Sequence, residues 1–325
     1  MCVARREFLS LAIGASAFAA GFGTARAEPY PVRTVKVVVG YSAGGGPDIQ
    51  ARALSQQLGK DLGQPFFVEN HPGANGTIAA RLVAQSGEDG YTLLYTSSSI
   101  IPTPYIYKSL GYDTLTDLRP IATAGILDGL LMLVDATSPI HSVPEFIETA
   151  KKDHLAYGSP GVGNILHLAA EIFCQKTGVT MQHVPYKGAS EVSAALLGGN
   201  IQVMFVTPPS VMGLLKDGRL RPIAYTGTKP FPTFPDVPLM RSIVPDYEPI
   251  GSWGMFLASG KAPTPIVDTL NAAVRKALLA PDVAAVMQRD GFFPDERNAE
   301  QTAAFFREQV AWAGAAVKAA GIEAN

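Results

Sequence analysis

The chain is built on one recurring unit: a short β-branched run, a turn rich in Gly and Ser, and a helix-forming stretch. The first copy, TVKVVVGYSAGGGPDIQARALSQQL, spans Thr34 to Leu58. Thr34 to Gly40 reads as a strand, Val35 to Val39 being β-branched apart from Lys36, and Ile49 to Leu58 reads as a helix. Further strands are expected at Phe66 to Glu69, Tyr91 to Thr96, Leu130 to Val134, Leu155 to Ser159, Gln182 to Val184, Ile201 to Val206 and Leu220 to Thr226. Helices are expected at Asp48 to Leu62, Thr77 to Gln85, Val143 to Lys152, Asn164 to Lys176 and Ser190 to Leu197. Three more close the chain, at Pro265 to Leu279, Pro281 to Arg289 and Ala299 to Ala320. Ser97 to Pro120 reads as loop. Short strands interleaved with helices predict parallel sheets and an α/β fold.

The unit with a glycine turn recurs at Ala156 to Asn164, AYGSPGVGN, followed by the helical ILHLAAE. Ligands of open α/β sheets sit beyond the carboxyl ends of the strands. Helix N-termini there present free N–H groups and the positive end of the macrodipole. Two such turns, one per sheet, would form the jaws of a cleft suited to an anion.

The N-terminus is read separately. Arg5-Arg6-Glu7-Phe8-Leu9 is a twin-arginine motif, Leu11 to Ala25 is apolar and small, and Ala25-Arg26-Ala27 fits an A-x-A cleavage site. Residues 1–27 are therefore expected to be a Tat-type signal peptide, removed near Ala27 on export to the periplasm. Its loss takes three basic and one acidic group from the 26 and 28 of the full chain, leaving a net charge of −4. Such a balance offers no basic field for nucleic acid. Cys174 is then the one cysteine of the mature chain, at an apolar helical spacing that suits a small core residue.

Gly40-Tyr41-Ser42-Ala43-Gly44 matches G-x-S-x-G, the elbow that exposes a hydrolase serine between strand and helix. A secreted serine hydrolase using Ser42 is thus one reading. It lacks a preceding strand and loop for the oxyanion, and none of His71, His141, His154, His167 and His183 lies in the C-terminal part. No His/Cys/Asp/Glu cluster has metal-ligand spacing, and Gly44-Gly45-Gly46-Pro47 fits neither dinucleotide nor Walker loops, so no metal or cofactor is expected. The glycines fit a cradle that brings backbone close to a ligand. Asp48 is either the N-cap of the helix at Ile49 or a direct ligand contact.

Gly44-Gly45-Gly46-Pro47-Asp48 with Ala51-Arg52 resembles the P-G-G-x-x-D-x-x-A-R signature of the tripartite tricarboxylate transporter receptors, the Bug-type solute-binding proteins. The resemblance continues through Val68 to Gly76 (VENHPGANG), Asp89 to Leu94 (DGYTLL), His167 to Glu171 and His183 to Gly188. It reaches the end through Gly218 to Arg221, Pro235 to Pro238, Trp253, Ala262 to Pro265 and Leu270-Asn271. The sequence departs from the family pattern at Tyr41-Ser42-Ala43, His71, Asn164 and Thr226 to Lys229.

The resemblance implies a type II periplasmic binding protein fold, two α/β lobes with a ligand cleft between them. Lobe 1 would comprise residues 28–130 and, returning, 251–325, with lobe 2 at 131–250. The implied function is capture of a small carboxylate by lobe closure and delivery to the membrane permease subunits of a tripartite tricarboxylate transporter. A ligand sensor for a membrane partner is an alternative. The protein is expected to be a monomer and not an enzyme. The first jaw is assigned Tyr41, Ser42, Gly44, Gly45, Gly46 and Asp48, and the second Ser159, Gly161, Gly163, Asn164 and His167. His167 either donates to the ligand or bonds Glu171. Tyr186 either shapes the distal pocket or packs, and Ser98 and Ser99 either line the cleft or form a polar turn. Phe205 and Trp253 are expected in the core.

Overall fold

The computed structural model describes residues 30–324, so the signal-peptide reading lies outside the described residues. In chain order the elements are β1 (Val35–Val39), α1 (Gly46–Leu62), β2 (Phe66–Asn70), α2 (Thr77–Ala84), β3 (Thr92–Ser97), α3 (Thr103–Ile106), β4 (Leu118–Leu127) and β5 (Leu131–Asp135). Next come α4 (Val143–Lys152), β6 (Leu155–Ser159), α5 (Ile165–Thr177), β7 (Met181–Pro185), α6 (Ala189–Leu197), β8 (Val203–Val206), α7 (Met212–Lys216) and β9 (Leu220–Tyr225). The chain closes with α8 (Met240–Ile243), β10 (Ser252–Ser259), α9 (Thr264–Leu278), α10 (Pro281–Arg289), β11 (Phe292–Phe293) and α11 (Ala299–Ala319).

The strands form two sheets. The first runs β11-β4-β10-β3-β1-β2 and the second β7-β6-β8-β5-β9. Neither is wholly parallel, which corrects the expectation from sequence. β10 runs antiparallel to β3 and β4, and β5 antiparallel to β8 and β9. The reason is topological: β5 and β10 are the first strands after each passage between sheets. Strands joined through a helix can run parallel, as β1 with β2 and β6 with β7 do, whereas β5 and β10 each arrive from the other sheet without such a crossover.

Each sheet is covered on both faces, so its strands are apolar on both sides. Val35, Val37 and Val39 of β1 point into a core with α1, α9 and α10, while Val38 points into a second core with α2 and α11. The run read as a strand is therefore apolar because it serves two cores. Phe205 and Trp253 are buried in the core as expected. Cys174 is half-buried against the same cluster as Phe205, and burial pushes its thiol up to about 12. The last helix, α11, joins the halves: Ala316 and Val317 pack with Ile106 of α3 and with Leu168 of α5.

β4 is the element the sequence hides. It carries Pro120 and Gly125, both poor strand residues. Its pairing with β10 shifts register between Phe256 and Leu257, beside Pro120, and between Gly254 and Met255, beside Gly125. These irregularities absorb the missing donor and the positive φ of Gly125.

The two passages between sheets are fastened to each other. Thr226 N–H donates to Leu130 O at 2.9 Å, and its hydroxyl accepts from Leu130 N and donates to Ile250 O. The Asp128 carboxylate accepts from Thr228 N and Oγ1, at 2.8 and 2.7 Å, and from Lys229 N. Gly251 lies so close to the first passage that a Cβ on it would sit 2.1 Å from Leu127 O. Backbone cannot yield as a side-chain tip can, so Gly251→Ala is expected to destabilise the protein by about 2 kcal/mol or more in urea unfolding. Unchanged stability would show that the passages are loose.

Candidate functional site

Both glycine turns lie at the carboxyl ends of their strands, as expected of α/β ligand sites. After β1, helix α1 begins at Gly46, two residues earlier than expected, with Gly45 as N-cap. Pro47 makes this possible, because the first turn of a helix needs no N–H from it. Asp48 is therefore not the N-cap; it stands at the third helical position. Its buried carboxylate accepts from Gly44 N at 2.8 Å, Arg52 Nε at 3.0 Å and Asn70 Nδ2 at 2.9 Å. Burial opposes ionisation, but these donors outweigh it and hold the carboxyl below its usual range. Asp48 thus spends its charge on shaping the turn.

What this leaves exposed is backbone. The cap of α1 has no side-chain hydrogen bond, as is also true of α2, α6, α9 and α10, whereas α4, α5 and α11 are capped by Ser142, Asn164 and Asn298. Among the described residues, the N–H groups of Gly46 and Asp48 find no acceptor. Gly44 takes up a left-handed φ of 77°, and Gly45 N–H closes the turn onto Ser42 O at 3.2 Å. Ser42 is exposed and its hydroxyl bonds to no imidazole. Tyr41 OH is tied to Ser97 Oγ at 2.6 Å, fixing the floor of the turn.

The second turn is built differently, because its own side chains take the N–H groups of Gly161, Gly163 and Leu166, while those of Val162, Ile165 and His167 find no acceptor among the described residues. Ser159 Oγ accepts from Gly161 N and lies 2.7 Å from His183 Nε2. Gly163 N–H donates to His167 Nδ1 at 2.9 Å, and Asn164 Oδ1 caps α5 through Leu166 N. A ring nitrogen that accepts carries no proton, so neutral His167 bears its proton on Nε2, which faces Glu171 Oε1 at 3.7 Å. His167 is buried and stacks on His183, with ring centroids 3.9 Å apart, and Tyr157 joins the stack and donates to Glu171. At 3.7 Å the His167–Glu171 approach is an ion-pair distance and longer than a hydrogen bond.

Ser159 and His183 form a serine–histidine contact, yet the serine is fully buried and the imidazole is a weak base. Burial, and then the neighbouring His167, push the His183 pKa down to about 4.

Ser98 is buried and shares a hydrogen bond with Ser252 at 2.8 Å. Tyr186 packs with the α6 side of the second sheet, its ring beside Gly158. Ser99 meets the other jaw, accepting from Asn164 Nδ2 at 3.0 Å. Asn75, absent from the expected site, also reaches across, donating to Val162 O at 3.0 Å. Its signal in the sequence was its place between two glycines, in VENHPGANG. Ile106 reaches the second turn as well, filling the space beside Gly163 where a Cβ would lie 2.1 Å away.

The profile of the tripartite tricarboxylate transporter family receptor matches residues 50–322, nearly all of the described chain. The chain belongs to this receptor family. Among solved structures it is similar to the periplasmic binding protein BugD, at 29% identity and a TM-score of 0.81 over 91% of this chain and all of that one. It is also similar to Rpa4515 of R. palustris with adipate, at 31% identity and a TM-score of 0.84, covering 91% of this chain and 100% of that one. A third is MatC of Rhodopseudomonas palustris with bound malate, at 28% identity and a TM-score of 0.79, covering 89% and 100%. The α/β fold of this receptor, with its two sheets, is accordingly that of periplasmic solute-binding proteins.

The histidine stack carries a pH signature. An imidazole whose folded pKa lies below 6.5 favours the fold while neutral, so its contribution is full above pH 6.5 and is lost as the pH falls toward about 4. His183→Gln keeps a donor near Ser159 without a titrating ring. In urea unfolding the stability gap between wild type and this variant is expected to narrow by about 1–2 kcal/mol from pH 6.5 to 4. A constant gap would mean that His183 titrates as it does in the unfolded chain.

Proposed function

We propose that this receptor captures a small carboxylate between its two glycine turns and hands it to the membrane permease subunits of a tripartite tricarboxylate transporter. The observation that carries the reading is the uncapped start of α1, with the Gly46 and Asp48 N–H groups free beside the exposed Ser42. A carboxylate there meets charge-assisted donors and the positive end of a helix of 17 residues. Gly44, Gly45 and Gly46 let it approach the backbone, and Ser42 donates a hydroxyl. Asp48, Ser159 and His167 serve as supports that hold the turns in shape, and Gly161 and Gly163 serve as close-packing positions. The dicarboxylates in the two R. palustris structures support this substrate class. We place the receptor in the periplasm, exported by the twin-arginine signal at 1–27 and acting as a monomer. The lobes correspond to 28–130 with 251–325, and to 131–250.

Each charge-assisted hydrogen bond contributes about 1.5–3 kcal/mol. A micromolar carboxylate needs roughly 8 kcal/mol in all, which a handful of such bonds supplies without a buried arginine. The reading predicts binding without turnover. In a thermal-shift panel containing malate, adipate, other di- and tricarboxylates, acidic amino acids and aromatic acids, at least one should raise the melting temperature. Saturation at a hundred times Kd corresponds to about 2.7 kcal/mol. Ser42→Ala should weaken that binding by about tenfold in calorimetry, through loss of one donor. No stabilisation by any carboxylate, together with ester hydrolysis abolished in Ser42→Ala, would establish the hydrolase instead.

A further inference from the structure

The loop between β2 and α2 holds four successive residues at positive φ: Gly73 at 135°, Ala74 at 46°, Asn75 at 55° and Gly76 at 88°. Two of them carry side chains, for which the left-handed region is disfavoured. Strain of this kind persists where the surrounding structure requires it. Here the twisted loop delivers the Asn75 amide to the Val162 carbonyl, 87 residues away in sequence. Asn75 follows a strand of the first sheet, and Val162 lies in the turn after β6 of the second.

A second amide makes the reverse crossing. Asn164, from the turn after β6, donates to Ser99, which follows β3 of the first sheet. Its Oδ1 caps α5, which locks the side chain in the reaching orientation. Between the two amides the turn carries little bulk. A Cβ on Gly161 would come within 3.7 Å of Asn75 Oδ1, and Gly163 at φ 71° lies against Ile106.

We propose that Asn75 and Asn164 are positioning residues forming a reciprocal latch, one amide from each half, that holds the cleft closed around a captured solute. The proposal rests on the solute-receptor reading above. Bonds made only when the halves meet contribute to the closed form alone, and so shift the open–closed equilibrium by their own free energy. The atoms that make the latch are occupied by one another. It therefore governs how long the cleft stays shut and leaves the choice of solute to other groups.

The test uses Asn75→Gly, which keeps a left-handed backbone without the amide, and Ser99→Ala, which removes the receiver but leaves Asn164 to cap α5. Solution scattering of the mature protein without added carboxylate should show a larger radius of gyration for the double variant than for wild type. Its melting temperature should stay within about a degree, because Gly at position 75 relieves strain. Dissociation of malate or adipate should quicken about fivefold for each bond removed, with the malate-to-adipate ratio of Kd unchanged. Unchanged scattering, or a melting temperature that falls in step with affinity, would overturn the latch. If neither dicarboxylate binds wild type, scattering alone still decides the latch, and the failure belongs to the substrate class.

Discussion

The side chain of Thr226 binds together the two chain passages that join the sheets. The sheets share no strand, so their relative placement depends on the two chain passages between them and on the contact of α11 with α5. Thr226 ties both passages with its hydroxyl, and Asp128 gathers three donors from the second passage onto the first. The Thr226 hydroxyl is buried and doubly paired, so displacing it leaves Leu130 N and Ile250 O unsatisfied at once.

The two turns differ in how their side chains and backbone are engaged. The first offers backbone donors and keeps its single charge turned inward, with Asp48 engaged by Arg52, Asn70 and Gly44. In the second, Ser159, His167 and Asn164 take three of the N–H groups for shaping the turn itself. The inward-turned carboxylate of Asp48 and the stacked imidazoles of His167 and His183 thus lie in different halves. The sequences of the turns look alike because both need a strand end, glycines and a helix start, not because both do the same chemistry.

Much of the fold was legible because its strands serve two cores and its helices carry clear starts, as at Ser142 and Pro281. β4 was not, since Pro120 and Gly125 are tolerated only by bulges that its partner supplies. The strand directions were also hidden, because β5 and β10 look like any other apolar strand and their sense depends on the connection. At the site, the turns themselves were legible from Gly44 to Asp48 and from Ser159 to Asn164. The roles of Asp48 and His167 were not, because hydrogen-bond partners such as Asn70 and Gly163 depend on tertiary placement. Asn75 was overlooked for the same reason: nothing local says that its amide reaches a carbonyl 87 residues away.

The position of β10 has a consequence for the order of events in synthesis. It lies between β4 and β3 in the interior of the first sheet, yet it comes from residues 252–259. Until those residues have been made, β3 and β4 have no partner between them, and the first sheet is split. The second sheet uses a contiguous stretch, from Leu131 to Tyr225. It has all its strands while the first still waits, so the half that carries the second turn is the one able to fold first. The half that carries the first turn forms last, from segments whose contacts span much of the chain.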